Sequence, residues 1–222
     1  MIDKRVSTMA QALSGIEDGA TILVGGFGSA GLPTTLVEAL LDTGATDLTV
    51  VCNNAGGDDT PIARLIWERR IRKFICSYPR SVSGAHQVKQ RWEEGSFELE
   101  LVPQGTMSER MRAAGAGLGG FFTPTGGGTM LAEGKETRMI GGRLHVFEEP
   151  LPGDYALIKA DTADRWGNLT YHASGRNFGP TMASAAATTV VQVRRCVELG
   201  ELDPEHIVTP GIFVDRVIEV AA

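Results

Sequence analysis

Three cysteines, four histidines, an aromatic content of 6% and no apolar run near the roughly 18 residues that cross a bilayer remove several readings at once. Cys52, Cys76 and Cys196 are odd in number, widely spaced and set in apolar or strand-like surroundings, so no disulfide framework is expected. Cys52 ends a predicted strand and could be argued as a nucleophile, but no histidine motif accompanies it, and packing in the core is the expected role. His86, His145, His172 and His206 form neither an H-x-x-E-H nor an H-E-x-x-H pattern, which speaks against a zinc site, and no metal is expected. Positive charge is also short. Twenty-one Lys and Arg face 27 Asp and Glu, for a net charge of −6, and the two signs are interspersed, so nucleic acid is not an expected partner. The chain shows no basic segment followed by an apolar signal core and no transmembrane stretch; a cytoplasmic protein without a membrane partner is expected. Linkers rich in Pro or Ser and internal repeats are missing too. One α/β domain over residues 1–222 is the expected organisation.

Glycine is what the chain has in quantity, 28 residues of it. The stretch from Asp18 to Pro33 organises the rest: a polar turn at Asp18-Gly19, a buried strand from Ala20 to Val24, a glycine-rich turn formed by Gly25, Gly26, Phe27, Gly28, Ser29, Ala30 and Gly31, and Pro33 opening a helix. Glycines there remove the β-carbons that would keep a ligand off the backbone, and a helix behind them offers N–H groups and a positive dipole end. A phosphorylated ligand suits such a turn. Gly26 to Gly31 also satisfies G-x-G-x-x-G, the pattern of a nicotinamide dinucleotide site. That site needs an acidic residue about 20 positions on, at the end of the second strand. The second strand, Leu48 to Cys52, ends instead in Asn53 and Asn54. A third reading has the glycines merely letting a strand pack tightly on a helix.

The remainder alternates helix and strand. Ser7 to Ile16, Thr34 to Thr43, Ile62 to Arg69, Ser83 to Glu94, Ser108 to Ala116 and Met182 to Thr188 carry helical periods; Lys73 to Ser77, Glu98 to Val102, Asp154 to Ala160, Val190 to Val193 and Ile212 to Val220 read as strands. Met139 to Val146, with Gly141-Gly142 inside, reads as a hairpin. The fold expected is α/β: an open, mostly parallel sheet with helices on both faces. Asn53, Asn54 and Gln104 then fall at carboxyl ends of strands, where ligands of such sheets bind, although Asn and Gly also simply suit turns. A second glycine-rich run, from Gly115 to Gly128, suggests close approach to a ligand or a neighbouring subunit, or else flexible spacing.

These residues resemble the A subunits of the family I CoA-transferases that act on 3-oxoacids. Gly25-Gly-Phe-Gly28 through Gly31-Leu-Pro33, Asn53-Asn-Ala-Gly56, Pro103-Gln-Gly105, Phe122-Thr-Pro-Thr-Gly126, Ala156-Leu-Ile-Lys-Ala160 and Arg176-Asn-Phe178 are similar to fixed blocks of that family, nearly the length of the chain. Segments such as Trp166 to Tyr171 and Glu198 to His206 are most similar to its 3-oxoadipate branch; an acetoacetate or short-chain fatty acid branch is the alternative. The resemblance implies transfer of CoA from succinyl-CoA to a 3-oxoacid through a glutamyl-CoA thioester, with no cofactor because the CoA thioester is itself a substrate. It also implies a partner, the CoA-transferase B subunit, in a heterodimer or heterotetramer. The family's nucleophilic glutamate stands in a Ser-Glu-Asn-Gly context that is missing here; Glu94 and Glu133 are the nearest substitutes. Gln104 matches a family glutamine that stabilises an oxyanion, and the glycine turn with Asn53 and Asn54 would form the ligand wall. Where relatives often carry Thr-Gly-Tyr-Gly-Thr, this chain has Gly127. Beside the transferase stand two other classes: an NAD-dependent oxidoreductase, and a non-catalytic ligand-binding module of the same fold.

Overall fold

In a computed structural model, which describes residues 2–79 and 86–220, β1 (Arg5–Val6) and α1 (Met9–Ala12) precede β2 (Thr21–Val24). The strand-helix alternation then runs through α2 (Thr34–Thr43), β3 (Leu48–Cys52), α3 (Pro61–Trp67), β4 (Ile71–Cys76), α4 (His86–Glu93), β5 (Glu98–Leu101) and α5 (Gln104–Gly115). An antiparallel flap follows, made of β6 (Phe121–Thr123), β7 (Thr137–Ile140) and β8 (Arg143–Glu148). The chain returns to the main sheet with β9 (Gly153–Lys159). It then forms β10 (Thr162–Asp164), β11 (Leu169–Thr170), α6 (Gly179–Ala185), β12 (Ala186–Val193), β13 (Arg195–Val197) and β14 (Arg216–Glu219).

Eight of these strands form one sheet in the order β1-β14-β12-β9-β2-β3-β4-β5, every pairing parallel. A parallel sheet survives only when both faces are covered, because its crossovers deliver helices to each side. The strand residues show this: all five residues of β3 are buried. Alternate side chains serve opposite cores. Ile22, Val24 and Val50 pack with Leu36 and Leu40 of α2, Leu65 of α3 and Val88 of α4. Leu23, Val51 and Ile75 pack with Met107 and Met111 of α5 and Met182 of α6. Helix α2 is held by Leu36, Val37, Leu40 and Leu41, each worth about 1.5–3 kcal/mol of burial. It ends at Gly44, whose φ of 82° lets its N–H bond back to Leu41.

The order of strands has a reversal that matters for function. From β2 the connections run outward through β3, β4 and β5; from β9 they run the other way, through β12 and β14. The β2–β9 boundary is therefore a switch point, and the loops leaving the carboxyl ends of these two strands diverge and open a crevice. The glycine turn leaves β2 there.

Several boundaries differ from the sequence expectation. Helix α6 begins at Gly179 and stops at Ala185; residues 186–188 belong to β12, because the β-branched run Thr188-Thr189-Val190-Val191 continues the strand between β9 and β14. Helix α5 begins at Gln104, four residues before the expected Ser108, and α1 is a single turn. Residues 211–213 form a 3-10 turn ahead of β14. The helix expected from Ser83 is seen from His86; residues 83–85 lie outside the described residues. No helix among the described residues is long and apolar enough to cross a membrane.

Candidate active site

The residues singled out in the sequence converge on one cleft. Phe27, Gly28, Ser29, Ala30, Asn53, Asn54 and Gln104 all line a cavity of about 650 Å³ at the carboxyl ends of β2, β3 and β5. Leu32 and Ala55 to Gly57 join them, and Thr60, Ile62 and Tyr78, which the sequence reading does not select, complete the wall. Thr60 could have been found: Thr-Pro ahead of an apolar run marks a helix start, and its hydroxyl accepts the Ala63 N–H at 3.2 Å as the cap of α3. That hydroxyl also donates to Ala55 and Gly57, tying the Asn53–Gly57 loop to the helix.

The turn itself divides. Phe27 and Ala30 exchange backbone hydrogen bonds of 2.9 and 3.2 Å, so residues 27–30 make a minute hairpin with an exposed tip. A β-carbon at Gly28 would meet open space, whereas one at Gly31 would collide with Asn177 and the Gly175 carbonyl. Gly25 backs on Ile158, and the Gly26 N–H donates to Asn177 Oδ1 at 2.9 Å. Thus Gly28 and Ser29 present backbone to the cleft, while Gly25, Gly26 and Gly31 serve close packing behind it. The tight-packing reading fits Gly25, Gly26 and Gly31, and Gly28 is the glycine of the turn that lines the cleft.

The start of α2 differs from the sequence expectation of a donor-rich helix end. Pro33 has no N–H to give, and Leu36 N–H is taken at 3.3 Å by the buried Gln192 of β12. The helix that opens on the cleft is α5, whose first residue, Gln104, is also a lining residue. Twelve residues of aligned peptide dipoles place its positive end at that wall.

Asn53 organises the polar floor. It is 4% exposed; its Oδ1 accepts from Ser77 Oγ at 2.6 Å and from Gln104 Nε2 at 2.9 Å, and its carbonyl accepts from the Ser77 and Tyr78 N–H groups. One N–H of the Gln104 carboxamide is used in this way, which fixes the plane of the group and leaves a second donor. An asparagine stands where a dinucleotide site needs a ribose-binding acid, and its side chain is committed to holding Gln104.

Among the described residues no Asp or Glu lines the cleft. Glu94 follows α4 elsewhere, where hydrogen bonds from Gln90 and Arg91 lower its pKa, and Glu133 follows a 3-10 turn at residues 130–132 of the flap. Cys52 donates from Sγ to the Asn54 carbonyl at 3.1 Å, and burial pushes its pKa well up; burial also raises Cys76, to about 12. Both thiols are held protonated at neutral pH, as core residues should be. Among the described residues no group of His, Cys, Asp and Glu could hold a metal ion. The cleft can therefore bind and polarise a carbonyl or an anion through amides and hydroxyls, but its described residues offer no carboxylate to attack one.

Part of the second glycine-rich run packs within the chain, at Gly115, Gly120 and Gly127, whereas a β-carbon at Gly117, Gly119 or Gly128 would meet open space. A β-carbon at Gly115 would press on Ser184 of α6, one at Gly120 on Phe147 of β8, and one at Gly127 on the Leu144 carbonyl. Gly127, where relatives often carry an aromatic, thus has no room for a side chain in this backbone.

Comparison with known proteins agrees with this architecture. The sequence pattern of a family described as Coenzyme A transferase matches residues 6–220. The A subunit of the 3-oxoadipate CoA-transferase of Pseudomonas putida is 56% identical over 221 residues, covering 100% of this chain and 95% of that protein. Its namesake from Acinetobacter baylyi is 52% identical over 220 residues, covering 99% and 96%. Among solved structures, an acyl-CoA transferase from Escherichia coli O157:H7, in a thioester complex with CoA, superposes with a TM-score of 0.85 at 22% identity. It is matched by 99% of this chain, which spans only 47% of that longer polypeptide.

Proposed function

The chain belongs to the coenzyme A transferase family, and from that premise we propose that it is the A subunit of a 3-oxoacid CoA-transferase, with 3-oxoadipate as acceptor and succinyl-CoA as donor. The single observation that carries the reading is a cleft lined by amides and hydroxyls with no carboxylate among its described residues. Half of an active site looks like this. A separate B subunit supplies the nucleophilic glutamate, and the chain's match to 47% of a one-chain relative leaves room for such a half. The names of the two bacterial relatives favour 3-oxoadipate among 3-oxoacids.

The chemistry follows from the groups. A partner glutamate attacks the succinyl-CoA carbonyl, the C–S bond breaks, and a mixed anhydride and CoA thiolate result. The thiolate attacks the glutamyl carbonyl of that anhydride and expels succinate, leaving CoA on the enzyme as a thioester. The 3-oxoacid carboxylate reverses both steps and leaves as its CoA ester. Atoms and charge balance without a bound cofactor or metal. Each tetrahedral intermediate carries an oxyanion, and the free donor of Gln104, at the positive end of α5, is the group that meets it. Gly28 and Ser29 let the acyl-CoA approach the backbone at the opposite wall.

Reconstitution tests this. The chain alone should transfer no CoA between succinyl-CoA and 3-oxoadipate, and should do so once mixed with its B subunit; trapping the thioester with borohydride should mark the partner. Activity of this chain by itself, or label on Glu94 or Glu133, would overturn the proposal.

A further inference from the structure

The hairpin of residues 27–30 is a ridge with a cleft on each side. The larger is the proposed acyl-CoA site; the other, of about 420 Å³, is lined by Ala30, Gly31, Lys159, Tyr171 and His172. Such a ridge has no side-chain core of its own, and its tip is exposed glycine and serine. A free turn of this composition would sample many conformations. Something must hold it if it is to place backbone against a ligand.

The geometry points to Asn177 as the residue that positions the glycine turn for the transfer reaction, a role that rests on the function proposed above. Its one carboxamide grips both feet of the hairpin. Oδ1 accepts the Gly26 N–H at 2.9 Å on the incoming side, and Nδ2 donates to the Ala30 carbonyl at 3.2 Å on the outgoing side. The same Nδ2 donates to the Gly175 carbonyl at 2.8 Å, and Oδ1 accepts the Phe178 N–H at 2.7 Å. Asn177 is itself anchored: Phe178 packs on the second core, and α6 begins directly after it. Gly31 is the complement of this grip, since any β-carbon there would occupy the space of the Asn177 amide.

The backbone carries a mark of the arrangement. Asn177 has φ 25° and ψ −121°, far from the ordinary wells, and Ala173 nearby also has a positive φ of 46°. Residues persist in such conformations only where the surroundings over-determine them, and Asn is among the residue types least penalised at positive φ. Asn177 is not in the larger cleft's lining and touches the turn from behind, so it acts through the turn and not on substrate.

Two variants separate positioning from support of the fold. Asn177→Gly removes the carboxamide while suiting the unusual backbone, so the chain should fold and melt near the wild-type temperature. Amide exchange of residues 26–31 should then rise by about tenfold or more, with the strands unchanged. In the assembled enzyme, kcat should fall by about 10- to 100-fold with a much smaller change in KM, the signature of lost alignment. Asn177→Asp keeps the acceptor for Gly26 and loses both donors, and should fall between wild type and glycine in exchange and in kcat. Unchanged exchange at residues 26–31 in Asn177→Gly, or faster exchange with kcat intact, would overturn the inference. If the wild-type assembly transfers no CoA, the proposed function fails instead, and the exchange comparison still decides whether Asn177 holds the turn.

Discussion

The two glycine-rich regions of this chain are secured by different chemistry. The turn after β2 is fastened by a neutral carboxamide, that of Asn177 behind it, and the wall across the cleft is tied by a second carboxamide pair, Asn53 with Gln104. The flap of β6, β7 and β8 is fastened to the sheet edge by ions. Arg110 of α5 donates to Glu100 of β5 at 2.7 Å, Lys73 of β4 reaches Glu98 and Glu100 at 2.8 Å each, and Glu148 of β8 takes Lys135 at 2.7 Å and lies 3.9 Å from Arg110. Carboxamides keep their hydrogen bonds across the range in which carboxylates titrate, and they place no net charge beside a site that must receive an anionic acid. The difference lies in the fastening, uncharged at the turn and ionic at the flap, although both regions are rich in glycine.

The sharpest way to break the comparison is Gln104→Ala. If the turn side is the catalytic wall, kcat of the assembled enzyme should fall by about 10²- to 10³-fold, the usual loss for one oxyanion donor, with a smaller change in KM. Steady-state kinetics decide it; a loss confined to KM would make Gln104 a substrate anchor. Gly120→Ala is the matching change on the flap side. Its methyl would be forced onto Phe147 and the Glu148 carbonyl, so it should cost about 1–3 kcal/mol of stability, read by denaturant melts, with kcat per folded molecule kept.

Gly28→Ala should behave in the reverse sense. At φ 61° a β-carbon costs about 1–2 kcal/mol of backbone strain but meets no neighbour, so stability should fall modestly while acyl-CoA turnover falls more. Should turnover survive and only stability drop, Gly28 would be a turn residue like Gly120 and the contrast between the two regions would collapse.

How far each region can be read beforehand follows from the range of its interactions. Local periodicity reveals β2, α2 and β3, because apolar spacing and Gly44 report on neighbours within a few residues. Gln104 and Asn53 can be placed on one crevice because both follow parallel strands. Their direct hydrogen bond across 51 residues cannot, and neither can the bond from Gly26 to Asn177 across 151. Local spacing misplaces the α6–β12 boundary because Met182 to Ala187 are mostly good helix formers, and the last of them turn to strand only through pairing with β9 and β14. The glycine run from 115 to 128 suggests a subunit contact for the same reason. Ser184, Phe147 and Leu144, which fill the space beside it, come from later elements.

The smallest effect expected is also the one that tests the fastening directly. Burial acts to raise the pKa of Glu100, but hydrogen bonds from Lys73 and Arg110 outweigh it and leave the carboxyl below its ordinary value. A group lowered in the folded state contributes stability that is full above its unfolded pKa and is lost as pH falls through the folded one. Burial acts to lower Lys73, and its bonds to Glu100 and Glu98 prevail and raise it, so its share persists until alkali removes its proton, as long as those carboxylates stay charged. Acidification below the ordinary glutamate range should therefore loosen the α5–flap margin while the carboxamide-held turn, with nothing to titrate in Asn177, Asn53 or Gln104, keeps its protection. Amide exchange corrected for its intrinsic pH dependence, compared at neutral pH and at about pH 3, below the ordinary glutamate value of about 4.3, should show protection falling in β5, β8 and the first residues after α5 before it falls in residues 26–31. Simultaneous loss in both regions would mean that the charges on the flap side add nothing distinct, and Glu100→Gln, which removes one titrating group and keeps the shape, should shrink the difference if they do, leaving the share of Glu98 and Glu148.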